Sequence, residues 1–165
     1  MNADAFRQLF DYHFAENRKI WDTHITALSQ EQFMQPVAYS VGSLRNQIVH
    51  LMSAENYWFS GLRRLEMPEM FDPEPFADRA DIRAYWDRIE QTQRDYLATL
   101  SDERLFQHPL TEGADQALTV WQILLQVTHH GADHRAQILR LLSDLGAKTE
   151  AQDYIFYVFD HLSLD

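Results

Sequence analysis

The five prolines, Pro36, Pro68, Pro73, Pro75 and Pro109, all fall between stretches of helical periodicity and never inside one. A proline within a helix removes a backbone hydrogen bond and clashes with the preceding turn. The chain can therefore be continuously helical only where these residues are absent. Glycine, at 5 residues, is equally sparse. What remains is four long segments whose apolar residues recur at helical spacing.

The periodicity predicts a first helix from about Ala3 to Leu28, with Phe6, Leu9, Phe10, His13, Phe14, Asn17, Ile20, Trp21, His24 and Leu28 along a broad stripe. Ser29 and Gln32 have capping-box spacing and predict a short helical turn after it. Ser43 is the expected N-cap of a second long helix, running to about Leu65. Met67 to Asp78, with three prolines, reads as a surface loop. A third helix is expected over Arg79–Leu100 and a fourth from Thr119 to about Asp144, with Gly146 as its C-terminal cap. Leu110 to Leu118 is the candidate for a small hairpin. A short aromatic helix from Ala151 to about His161 ends the pattern and is expected to pack on its own bundle. The fold class expected is all-α: a four-helix bundle in one domain over residues 1–165, with a short additional C-terminal helix.

Composition narrows the chemistry. The 165 residues could bury roughly 70% of the unfolded surface, so neither a disulfide nor a metal is needed merely to fold. Fourteen basic against twenty-five acidic residues give a net charge of −11. This argues against nucleic acid or an anionic membrane surface as partner. There is no cysteine, which excludes a zinc–thiolate site, an iron–sulfur cluster and a cysteine nucleophile. No apolar leader or membrane span is visible, so a cytoplasmic location is the simplest expectation.

Eight histidines carry the chemical interest. His130 and His134 are four apart, which stacks them on one helix face within reach of a shared ion. His129 is rotated by about 100° from His130 and should not join them. Gln126, His130, His134 and Gln137 form a polar stripe on an otherwise apolar helix, and such a stripe must meet solvent or be satisfied inside. His50, among Ile48, Val49, Leu51 and Met52, offers a third imidazole from the second helix. The bland alternative is a set of hydrogen-bonded core histidines. His13, His24, His108, His129 and His161 are taken as structural or surface residues. Neither H-E-x-x-H nor E-x-x-H occurs, which speaks against zincin proteases and di-iron carboxylate bundles.

Three stretches resemble the DinB-like (YfiT-like) metalloenzyme superfamily. They are the first helix with Asn17 and Trp21; Ser43-Leu44-Arg45-Asn46-Gln47-Ile48-Val49-His50 followed by Glu55 and Trp58; and His130-Gly131-Ala132-Asp133-His134-Arg135-Ala136-Gln137. The last is close to that family's H-G-x-x-H-R-G-Q signature, with Ala136 where the family has glycine. The resemblance implies a helical bundle, commonly a homodimer, holding a divalent metal on His50, His130 and His134. It also implies thiol-dependent S-transfer as a known activity among relatives.

Three functions follow as expectations. The first is a metal-dependent S-transferase, in which the cation activates a low-molecular-weight thiol toward a small-molecule substrate. Arg45, Arg63 and Arg135 are candidates for holding an anionic thiol, each more simply read as a surface ion-pair residue. The second is a metal-dependent hydrolase. Glu55 and Asp133 are its candidate bases, and neither is well placed, Glu55 being about 140° around the helix from His50. The third is a non-catalytic, metal- or ligand-binding stress-response protein. Imidazole suits zinc, nickel, iron and copper alike; zinc or nickel is the expected ion, with iron or manganese as alternatives. Asn46, Gln126 and Gln137 are the candidates for holding the ligand rings through outer hydrogen bonds.

Overall fold

A computed structural model describes residues 2–111 and 113–161. The fold is all-α. Among the described residues six α-helices run in order: α1 (Ala3–Thr23), α2 (Gln30–Met34), α3 (Leu44–Leu62), α4 (Arg79–Ala98), α5 (Val120–Asp144) and α6 (Tyr154–His161). Their ends follow from local chemistry. Asn2 accepts from the Ala5 N–H, Ser43 from Asn46 and Asp78 from Ala80, each satisfying an orphan donor of the first turn. At the end of α5, Gly146 takes φ 86. Its N–H bonds to the Ser143 carbonyl at 2.9 Å, and that of Ala147 to Leu142 at 3.0 Å, the pattern of a Schellman cap.

Several sequence expectations shift. The first helix stops at Thr23, and Ile25–Ala27 forms a separate 3-10 turn. The second ends at Leu62, and the last begins at Tyr154. The expected hairpin does not form: Ala114–Ala117 is a 3-10 turn, and no strand occurs among the described residues. Gly113, at φ 78, opens that turn.

Helix α5 packs on α3 and α1, and α4 packs on the same two, which closes a ring around the interior. That interior has two apolar compartments. One gathers Phe6, Phe10, Phe14, Phe59, Tyr96, Leu97, Ile123 and Val127. The other gathers Ile20, Trp21, Ile48, Met52, Trp86, Ile89, Ile138 and Leu142. Helices α1 and α5 run from the first to the second, and α3 and α4 run the other way. Residues 63–78 therefore return along the bundle between α3 and α4. Ser53 Oγ receives the Phe71 N–H at 2.8 Å, fastening this crossover to α3.

Between the compartments lies a layer of buried polar side chains: His13 and Asn17 from α1, Glu55 from α3, Gln93 from α4 and Arg135 from α5. The aromatic C-terminal helix is only partly docked. Tyr154 and Tyr157 sit edge-on to Tyr12. Ile155, Phe156 and Phe159 remain exposed, so the expectation of a helix packed against its own bundle holds for one face alone.

Candidate metal centre

Helix α5 is long and strongly amphipathic, so its spacing carries His130 and His134 onto adjacent turns of one face. Helix α3 lies alongside and brings His50 to the same point. His50 Nε2 and His130 Nε2 are 3.2 Å apart. The ring centroids are separated by 5.2 Å for His50 and His130, 4.6 Å for His50 and His134, and 4.4 Å for His130 and His134. One nitrogen from each ring falls within 4.8 Å of the others. A tetrahedral ion with metal–nitrogen bonds of about 2.0–2.1 Å holds neighbouring nitrogens roughly 3.4 Å apart. The donor set and the His50–His130 spacing fit such an ion.

The protonation states fit as well. Burial pushes the His50 and His130 imidazoles below their ordinary range. His134 is pushed down to about 4 by burial and by its two histidine neighbours. Imidazole binds metal only when neutral. His134 is buried, whereas His50 and His130 are partly open to solvent.

Gln47 fixes the His134 ring. It is fully buried, and its Oε1 lies 2.8 Å from His134 Nδ1. An amide oxygen only accepts, so Nδ1 carries the proton and Nε2 keeps its lone pair for an ion. The Gln47 Nε2 in turn donates to Gln137 Oε1 at 3.2 Å. Of the three residues expected to orient the ligand rings, Gln137 thus reaches the site through Gln47. Asn46 turns to the Val41 carbonyl and to Arg45, and Gln126 is exposed. Asn46 and Gln47 stand four and three residues before His50, and helical spacing alone does not choose between them. A rotation of one residue decides which amide faces α5.

The remaining candidates fall elsewhere. His129 is exposed and outside the cluster. Arg45 pairs with Glu74 at 2.9 Å, and Arg63 is exposed. Arg135 is not a surface residue: it is 1% exposed, inside the polar layer. Asp133 is exposed. Glu55 is buried and accepts four hydrogen bonds. His13 Nε2 at 2.8 Å and Asn17 Nδ2 at 3.2 Å reach one oxygen. Trp86 Nε1 at 2.8 Å and Gln93 Nε2 at 3.3 Å reach the other. Burial alone would push the Glu55 carboxyl up, but these donors, His13 foremost, outweigh it and hold the group below its usual range.

A sequence profile of the DinB family matches residues 1–161. The chain belongs to the DinB family. No curated protein matches it. The family assignment and the histidine cluster together mark this DinB protein as a helical protein with a three-histidine site that could bind a metal ion. No helix among its described residues is long and apolar enough to cross a membrane.

Proposed function

We propose that this DinB-family protein is a metal-dependent thiol S-transferase, with His50, His130 and His134 as the ligands of a divalent cation. One observation carries the proposal: three neutral imidazoles converge from two helices at a place partly open to solvent. Three protein ligands leave coordination room, as catalytic sites do and closed structural sites do not. When bound, the cation lowers the pKa of a small-molecule thiol and makes thiolate available near neutral pH.

The chain's own part is positioning. Gln47 holds His134 in the tautomer that presents Nε2. The half-exposed rings of His50 and His130 leave an approach for a small thiol and an electrophile. Hydrolysis is less well supported. A protein base near the attacking water would assist it, yet Glu55 is committed to four buried donors and Asp133 faces solvent. A thiol, with an ordinary pKa of about 8.5 against about 15.7 for water, depends less on such a base. Zinc or nickel, or else iron or manganese, is the proposed ion, and a cytoplasmic homodimer the proposed form.

Elemental mass spectrometry on untagged protein tests the ligand set. Near-stoichiometric metal should be lost in His50→Ala, His130→Ala and His134→Ala and kept in His129→Ala. The loaded protein should then transfer glutathione, bacillithiol or mycothiol to an aryl halide. Metal without turnover on any thiol would reduce the assignment to a binding protein. No metal after reloading would remove it.

A further inference from the structure

The polar layer contains two buried charged side chains, Glu55 on α3 and Arg135 on α5, bridged by His13 on α1. The protonation of that bridge follows from its partners. A guanidinium can only donate, and Arg135 Nη1 lies 3.0 Å from His13 Nδ1. Nδ1 is therefore the acceptor. The imidazole proton is on Nε2, which donates to Glu55 Oε1 at 2.8 Å. Asn17 completes the set: its Oδ1 accepts from Arg135 Nη1 at 3.1 Å and its Nδ2 donates to Glu55 at 3.2 Å. A neutral histidine thus links a buried cation to a buried anion. Burial pushes His13 below its ordinary range despite the carboxylate beside it, in keeping with that state.

The bridge adjoins the histidine cluster on both helices. Arg135 directly follows His134. Glu55 lies on α3 with His50. The His13 ring packs against Gly131, the residue after His130, so closely that a Cβ there would collide with His13 Cε1.

We infer that the Glu55–His13–Arg135 bridge is a positioning element for the three-histidine centre, holding α3 and α5 together through α1 so that His50 meets His130 and His134. This rests on the metal-binding reading proposed above. Ligand constellations need placement to within about 0.5 Å. Two helices that each supply ligands keep that placement only if their separation is fixed. The apolar contacts between them are non-directional, whereas buried hydrogen-bonded charges tolerate little displacement.

Cobalt(II) added to the full-length apo protein provides the test, read by affinity against a competing chelator and by the visible ligand-field spectrum. The variants are Glu55→Gln and the double variant Glu55→Gln/Arg135→Gln, which leaves no lone buried charge and so guards against simple unfolding. Leu105→Ala, in the apolar compartment of Phe6 and Phe10, serves as a control of reduced stability that leaves the bridge intact. Direct outer partners of ligands typically change metal affinity by 10–100-fold, and the bridge acts one contact further out. Both bridge variants should therefore bind cobalt about tenfold more weakly and with an altered spectrum, while the control keeps the wild-type values. Unchanged affinity and spectrum in a folded bridge variant would overturn the inference and leave the metal centre standing. Absence of cobalt uptake by the wild type would overturn the metal reading itself, and the inference with it.

Discussion

Gln47 on α3 accepts the Nδ1 proton of His134 on α5 at 2.8 Å. This single bond sets which ring nitrogen faces His50 and His130. Replacing Gln47 by Leu removes the acceptor at similar size. Metal affinity should fall by about 10–100-fold, while Gln126→Ala, on the exposed side, should leave it within twofold. Competition titration with zinc measures both. Equal affinities in the two variants would deny Gln47 this role.

Gly131 has no room for a side chain, because the His13 imidazole occupies that space. Alanine is the better helix former by about 1 kcal/mol, so an open site would gain stability from the change. Here the clash should dominate, since overpacking a core typically costs about 1–3 kcal/mol. Gly131→Ala should therefore lower the urea midpoint, and a raised midpoint would mean that His13 moves aside freely.

Acid should destabilise the apo protein before any carboxylate titrates in the unfolded chain. Burial lowers the His13 pKa in the fold from its ordinary 6.5. Between the folded value and 6.5 the unfolded chain binds more protons, so stability is lost as pH falls through that window. His50, His130 and His134 are also lowered and act with the same sign. Glu55, held below 4.5, adds a further loss at lower pH, as it protonates in the fold. Urea midpoints at pH 7.5 and 5.5 should differ, with the lower at pH 5.5. A flat profile would contradict burial of neutral imidazoles.

The Tyr12 hydroxyl donates to the Gln152 carbonyl at 2.5 Å, and Arg135 Nε donates to the Gln152 side chain at 3.2 Å. These bonds fasten the segment before α6. Tyr12→Phe should cost about 1 kcal/mol, the usual net worth of one hydrogen bond. Amide exchange should rise selectively over residues 153–158. Unchanged exchange there would show that the aromatic contacts of Tyr12 suffice.

The long helices were legible because each buries one stripe, and the prolines mark where no helix can continue. The histidine set is legible in part: an i, i+4 pair on an apolar helix announces itself, whereas His50 stands out only as a polar residue on an apolar face. The Glu55–His13–Arg135 bridge was not legible. Its bonds join residues 42 and 122 apart in sequence, and no local period marks a partner at such range. Arg135 looked like a surface arginine because a buried one needs partners that only the assembled helices provide. The supposed hairpin failed for a local reason: Gly113 and the Ala-Asp-Gln-Ala run after it suit a tight 3-10 turn as well as a reversal between strands.

The division of the interior by one polar layer has a consequence for how the sequence can change. Substitutions far apart and without shared partners have additive effects. Phe10 and Ile123 lie on one side of the layer, Ile48 and Ile138 on the other. Each half can exchange apolar residues of matched volume without asking anything of its counterpart. The side chains of the layer have no such freedom, because each is hydrogen-bonded to a side chain of another helix. Over long divergence the two apolar halves should drift separately around a fixed polar middle.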